Sequence, residues 1–571
     1  MHSMTQASPS AARRFSPHLP ILILLVLQLG IGLFTFRDYG LSWDEPLFYK
    51  YADALGYAYT PSNWFAPNFD LSNSYGPSGD DHKTRGPAYL LLAREPVYLL
   101  KSLGVDEASA WHLINFLTFL LGVYFVYRLS LRWMRPWAAF GAAALFSTQP
   151  LLWGHAFINP KDPPFLVFFT GALVFGFEMV DVLKDRTKNV KQTFGFVLLA
   201  AFFLGIATSI RVLGPLAGVL VVVYWAVGRI GNPPERDGIP LHKFILWLLL
   251  YGFIAIIIML ASWPYLWEAP LTRFIEVVGF MSENPTGLQV LFGGQIYHAY
   301  DLPRRYLPTL LAITLTEPVW ILFLLGFLVR ALSDWKSPLR FAKSHLRGTQ
   351  SAEGRTSQTV EAVLTAHPDY WLTLLTFIIP LAYVLLRQPP MYDGFRHFFF
   401  ILPPVFVTCG FGMDAIFIWV KKTQKGILAS YWLRAGIILA LLLPGAISST
   451  SLHPYEYAYY NSFVGGTGGA FRTYETDYWL TCYKEAVERF DALSLQPATL
   501  FVHREAYIAA GYASSGLTIL DERGNLSAIQ SGDTILVNTR SNEDRKTFHD
   551  APVVLTVGRS GATFCIIKRI P

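Results

Sequence analysis

Eleven apolar stretches, most about twenty residues long, dominate this chain and limit what it can become. A helix crossing the hydrocarbon of a bilayer needs about 20 mostly apolar residues. Candidate spans lie at 19–37, 111–131, 136–154, 163–183, 194–210, 212–229, 243–263, 308–330, 370–387, 397–419 and 431–449. The pair 194–229 is tight around Arg211 and is also readable as one re-entrant hairpin. Of the 571 residues, 53% are hydrophobic and 15% charged, against roughly 25% charged in ordinary soluble domains. Mean hydropathy is +0.35. Disorder, collagen, coiled coil and a soluble enzyme are thereby excluded. The expectation is an all-α polytopic membrane protein of about eleven transmembrane helices.

The formal charge of +6 is a topology signal and does not point to nucleic acid. Lys and Arg collect on cytoplasmic loops of membrane proteins. Arg128, Arg132 and Arg135, then Lys184, Arg186, Lys188 and Lys191, Arg229, Arg236 and Lys243, Lys336, Arg340, Lys343 and Arg347, and Lys421, Lys422 and Lys425 all fall on alternate connections. The short opposite connections carry few cations: Lys161, Arg211, Arg387 and Arg396. This pattern places the N-terminal tail (1–18) in the cytoplasm, with a cytoplasmic loop at 331–369. The first span is too long for a signal-peptide core and has no A-x-A-like site after it. The transmembrane domain covers 19–449. Extracytoplasmic segments are 38–110, 264–307 and the C-terminal region 450–571. From about 480 a helical run is followed by β-rich runs at 499–503, 517–521, 534–538, 553–557 and 564–568, which reads as a small extracytoplasmic α/β domain. The chain is expected in the plasma membrane. Three cysteines make no disulfide framework, although Cys482 and Cys565 are able to pair if their region is extracytoplasmic.

Charge at membrane depth is costly, roughly 2.5–3.5 kcal/mol on insertion scales, so charged residues at the outer ends of spans invite a functional explanation. Asp44 and Glu45 follow the first span. Asp162 opens the fourth, with Lys161 and His155 beside it. Lys83 and Arg85 lie in the first loop, Arg211 between two spans, and Arg396 at the head of the tenth. Taken singly, each has an ordinary reading. Asp44–Glu45 and Asp162 suit helix N-termini, isolated arginines suit interface snorkelling, and His155 reads first as a hydrogen-bonded structural residue. Together, several cations around carboxylates at one depth suit a phosphate-bearing lipid head group. A carboxylate there is placed to deprotonate an acceptor hydroxyl, while the cations stabilise a departing lipid phosphate. No G-x-x-x-x-G-K-[ST] element is present.

These motifs carry a resemblance. Trp43-Asp44-Glu45-Pro46 after the first span, Lys83-Thr-Arg-Gly-Pro87 in the first loop and Asn159-Pro-Lys-Asp162 before the fourth span resemble the GT-C glycosyltransferases of family 39. These are the protein O-mannosyltransferases and lipid A aminoarabinose transferases, whose bacterial members depend on a phospholipid carrier. Residues 205–215, Asp301-Leu-Pro-Arg-Arg-Tyr306 and Arg396 are further echoes, and the resemblance spans about 20–480. It implies a GT-C membrane fold and inverting transfer of a sugar from a polyprenyl-phosphate donor to a hydroxyl of protein, lipid or glycan on the outer face. It implies Asp44 as general base, and Glu45 orienting the acceptor or the first loop. Arg85 would lie on the donor phosphate, with Asp162 near that phosphate or a divalent cation. Where the family often has Lys-Pro-Pro or His-Pro-Pro this chain has Arg-Gly-Pro, so the phosphate contact is open between Lys83 and Arg85. Lys161, Arg211 and Arg396 are the other phosphate candidates. Metal use is open, and catalysis without any cofactor is one option. Mg2+ or Mn2+ shared by Asp44, Glu45 and Asp162 is another, and His155 is a weaker candidate ligand. The aromatic, Gly-rich segment 453–479 reads either as an acceptor-binding lip or as a connector packing the tail. A transporter or flippase for a lipid-linked sugar is the rival function.

Overall fold

The computed structural model describes residues 16 and 18–571, apart from 78–79, 186, 231–239, 284–285, 346–367, 424–426 and 494–497. Among the described residues, seven helices are long and apolar enough to cross a membrane: Glu107–Ser130, Asp162–Lys184, Val190–Ile210, Leu241–Ala261, Pro368–Arg387, Arg396–Lys422 and Tyr431–Leu452. Helix Leu241–Ala261 has only 22% of its apolar window buried, and Leu246, Leu249 and Phe253 stand more than half exposed. Apolar faces this bare need lipid around them. The protein is a multi-pass integral membrane protein.

The other expected spans are helical but not straight twenty-residue rods. Leu19–Thr35, Pro136–Ser147 and Pro215–Arg229 are shorter apolar helices. The first, with 17 residues, rises about 26 Å, slightly less than the hydrocarbon thickness. The tight pair around Arg211 is two helices, Val190–Ile210 and Pro215–Ile230. Two expected spans are broken. The block 136–154 stops at Ser147 and restarts as Pro150–Ile158, where Pro150 has no N–H to continue the ladder and disfavours helix at the residue before it. The block 308–330 is Tyr306–Thr314 followed by a helix bent 108° away. The two breaks satisfy each other. Gln149 Oε1 accepts from the Thr316 backbone N–H at 2.9 Å, and its Nε2 donates to Thr316 Oγ1 at 3.0 Å and to the Leu145 carbonyl at 2.8 Å. Backbone groups freed at a break inside a bundle need partners of this kind.

The C-terminal β-rich runs form one five-stranded mixed sheet, ordered β4-β3-β5-β7-β6. Its strands are β3 (Ala498–Val502), β4 (Leu517–Asp521), β5 (Thr534–Asn538), β6 (Val553–Arg559) and β7 (Ala562–Arg569). A separate hairpin pairs β1 (Gln289–Phe292) with β2 (Gln295–His298). Strand side chains alternate between faces. Accordingly Leu500, Leu536 and Ile567 join the main core that includes the helix Cys482–Leu493, whereas Phe501, Ile535, Val537 and Ile566 cluster on the other face. Cys482 and Cys565 do not pair as a disulfide. Both are free thiols in this core, and Asn538, the cross-strand partner of Cys565, donates to Cys482 Sγ at 3.4 Å.

Candidate functional site

The charged residues singled out from the sequence sit at helix ends, and four of them converge. Asp162 begins its helix, with Pro163 and Pro164 in the first turn and its carboxylate at the positive end of the helix dipole. Asn159 shapes the approach: its Oδ1 accepts from the backbone N–H of Lys161 and of Asp162, and its Nδ2 donates to Asp162 Oδ2 at 3.0 Å. Arg211 caps the end of helix Val190–Ile210 and donates through Nη2 to Asp162 Oδ1. Arg396 opens a 3-10 turn ahead of helix Leu402–Thr423. Its Nη1 lies 3.2 Å from Asp162 Oδ2 and 3.4 Å from Asp44 Oδ2. Two of the three carboxylates named from the sequence, Asp44 and Asp162, therefore share one guanidinium nitrogen.

Asp44 reaches this point because the first loop is fastened down. Ser42 Oγ donates to the Ile158 carbonyl at 2.9 Å, and the Trp43 backbone N–H donates to the Trp479 carbonyl at 3.2 Å. Of the carboxylates on Arg396, Asp44 alone is appreciably open, with 22% of its side chain exposed against 1% for Asp162 and 0% for Asp393. Among the described residues no acceptor reaches the buried Nε–H of Arg211 or of Arg396. Two guanidinium groups beside an accessible carboxylate suit an oxygen-rich anion.

Glu45 turns the other way. Its carboxylate is fully buried, accepts from the Ser42 N–H at 2.6 Å and from Tyr49 Oη at 2.6 Å, and lies 3.1 Å from His112 Nε2. This placement ties Glu45 to Ser42 and Tyr49 of the first loop and to His112. His155 is a hydrogen-bonded residue behind the site. Its Nε2 lies 2.9 Å from Tyr478 Oη and its Nδ1 3.3 Å from Asn159 Nδ2. Lys161 is nearly buried, its Nζ 5.9 Å from the Phe48 ring centre. Lys83 Nζ lies 5.9 Å from the Tyr265 ring centre, and its carbonyl accepts from Trp263 Nε1. The Arg85 carbonyl accepts from Tyr51 Oη at 3.3 Å, and its charge acts on Tyr392, four residues before Arg396. The loop that carries Lys83 and Arg85 is wedged against the bundle: a Cβ on Gly86 would meet the Ser209 carbonyl oxygen at 1.2 Å.

A metal shared by Asp44, Glu45 and Asp162 does not fit this geometry. Glu45 faces away, and both oxygens of Asp162 are held by guanidinium groups. Among the described residues no three His, Cys, Asp or Glu side chains converge as a ligand set.

Sequence reasoning missed two members of the cluster. Asp393 Oδ2 lies 3.1 Å from Arg396 Nη2, and its Oδ1 lies 2.7 Å from Arg540 Nη2. Burial pushes the Asp393 carboxyl above the ordinary carboxylate range, although Arg540 and Arg396 pull it down. The Asp393-Gly394 pair, with φ of 54° and 68°, is a left-handed turn shortly before Arg396 and was the available signal. Arg540 had none, because it enters from the C-terminal sheet domain. The segment 453–479 is mainly a buried connector: Tyr455, Tyr457 and Trp479 are buried, and Tyr457 Oη donates to Asp477. Four of its tyrosines also line a cavity with Leu151, Leu310, Gly394 and Phe399.

No family model and no curated protein matches the chain. Solved structures do. The oligosaccharyltransferase of Archaeoglobus fulgidus in its apo form aligns over 93% of this chain and 70% of its own, with a TM-score of 0.51 and 11% identity. ArnT from Cupriavidus metallidurans in the apo state aligns over 96% of this chain and 98% of its own, with a TM-score of 0.45 and 12% identity. The arabinofuranosyltransferase AftD from Mycobacteria aligns over 96% of this chain and 40% of its own, with a TM-score of 0.39 and 12% identity. The likeness to the archaeal enzyme bears out the expected GT-C fold.

Proposed function

We propose that this chain is an inverting membrane glycosyltransferase that moves a sugar from a polyprenyl-phosphate donor to an acceptor hydroxyl at the outer face of the cytoplasmic membrane. The carrying observation is that Asp44 and Asp162 share Arg396 Nη1, while Asp44 alone of the Arg396 carboxylates is exposed. Asp44 takes the proton of the acceptor hydroxyl as its oxygen attacks the anomeric carbon. The bond from that carbon to the lipid-phosphate oxygen breaks, and the phosphate leaves with the electron pair. Direct displacement with one base inverts the anomeric centre. The positive charge of Arg211, 17% exposed, and of Arg396 behind it stabilises the leaving phosphate, with Lys83, Arg85 and Lys161 adding charge around it. In many enzymes, groups fixed where charge develops lower the barrier more than any other effect. Asp162 keeps Arg211 and Arg396 in register. No step runs through a metal.

The rival reading, a flippase for a lipid-linked sugar, shares the spans and the basic site; a transferase differs from it in releasing polyprenyl phosphate without any gradient. The test is Asp44→Asn in the purified chain. The variant is expected to fold as wild type and to lose turnover by about 100-fold or more, the scale of a general base. Normal sugar transfer by this variant removes the assignment.

A further inference from the structure

The ion chain at the site does not end in the membrane domain. Arg211, Asp162, Arg396, Asp393 and Arg540 alternate in charge, and Arg540 lies two residues past the end of β5 in the C-terminal sheet domain. Its position is tightly set. The Arg540 backbone N–H donates to Asn538 Oδ1 at 2.6 Å, and Nη1 donates to the Tyr478 carbonyl at 3.0 Å. The next two residues, Ser541 and Asn542, have φ of 51° and 58°, a strained pair that persists only where surroundings hold it. The Ser541 hydroxyl donates to the buried Glu475 carboxylate at 3.2 Å. Arg540 is 4% exposed, and its guanidinium lies 4.7 Å from the ring centre of Trp43, the residue before Asp44. Two further residues of the sheet domain hold the same loop. Tyr507 Oη donates to the Trp43 carbonyl at 2.6 Å, and Tyr512 Oη accepts from the Leu41 N–H at 2.7 Å.

We propose that Arg540 is a positioning residue of the transfer site, through which the C-terminal sheet domain sets both the seat of Trp43–Asp44 and the share of Arg396 available to Asp44. This rests on the transferase reading above. Arg396 commits Nη2 to Asp393 and divides Nη1 between Asp44 and Asp162. Arg540 supplies the second cation that Asp393 needs. Without it, a buried carboxylate is left to Arg396 alone and draws that guanidinium away from Asp44, or takes up a proton and releases it toward Asp44. Either outcome changes the base without touching the substrate.

The experiment uses the full chain in nanodiscs as four proteins: wild type, Arg540→Gln, Asp393→Asn and the double variant. Polyprenyl-phosphate release is measured from a polyprenyl-phosphate sugar across pH. Arg540→Gln is expected to lose between about 10- and 100-fold in kcat, with KM for the donor unchanged and the acid limb of the kcat profile moved. The double variant, with no charge left to compensate at either position, is expected to recover most of that loss. Wild-type kcat and pH profile in a folded Arg540→Gln protein, or an equal loss in the single and double variants, overturns the proposal. If Arg540→Gln does not fold, Arg540→Lys takes its place, with a smaller kcat loss of the same kind expected. If wild type releases no polyprenyl phosphate, the transferase reading fails by itself. The thermal midpoints of the four proteins then decide: restoration of the midpoint in the double variant supports the coupling, and additive losses overturn it.

Discussion

Arg396 is the residue on which the site turns, because three carboxylates from three separate segments meet on its two terminal nitrogens. Removing one partner of a buried ion pair leaves the other uncompensated, at a cost of about 3–5 kcal/mol. Asp162→Asn should therefore destabilise the protein by that order in chemical or thermal unfolding, whereas Asp44→Asn, at the open edge, should change stability little. Equal losses for the two substitutions would show that Asp44 is a structural counter-ion. Asp44, Asp162, Arg211 and Arg396 were legible in the sequence because a charge beside an apolar block stands out. Glu45 was legible as a feature but not in direction, since His112 and Tyr49, which hold it, gave no sign of facing it. Asp393 was hidden in a short connection, and Arg540 lies far beyond Arg396 in the chain, in a domain with its own surface charge.

At the level of elements, the apolar blocks and the β-rich runs were readable from period and composition, and each of the eleven blocks falls on helix. The breaks were not readable as a pair. Pro150 and Pro318 mark restarts, but only the fold brings Gln149 to Thr316. Gln149→Ala should strand the Thr316 N–H and cost about 1–3 kcal/mol, measured as a lower unfolding midpoint; an unchanged midpoint would mean that the two breaks are held by other contacts. The sheet domain carries its own pH dependence. Burial opposes charge on His503, but hydrogen bonds and charge from Glu543 and Glu522 win, and its pKa is raised. Glu543, whose Oε2 lies 3.6 Å from His503 Nε2, is held down at about 2. The His503 contribution is present below its unfolded value of about 6.5 and is lost as pH rises through the raised folded value. The Glu543 contribution is present above its ordinary value and is lost as pH falls toward about 2. The unfolding midpoint of wild type should fall more steeply than that of His503→Gln as pH rises above about 6.5. Parallel curves would show that this cluster contributes no pH-dependent stability.

For the whole molecule, a helical membrane bundle of GT-C fold and a sheet domain close on one ion chain, and the start of the first loop, which carries Asp44, is held by both. The helical membrane bundle was legible from hydropathy, because lipid permits few architectures, whereas the GT-C fold was implied only by the resemblance its motifs carry. The union of the two domains was not legible, because it depends on contacts such as Arg540 to Asp393 that no local pattern encodes. The most direct test places the purified wild-type chain in nanodiscs, without any ion gradient, with a polyprenyl-phosphate sugar and hydroxyl acceptors from the cell envelope. Equimolar appearance of free polyprenyl phosphate and glycosylated acceptor of inverted anomeric configuration is the expected result. Movement of intact lipid-linked sugar between leaflets, with no polyprenyl phosphate released, would contradict it.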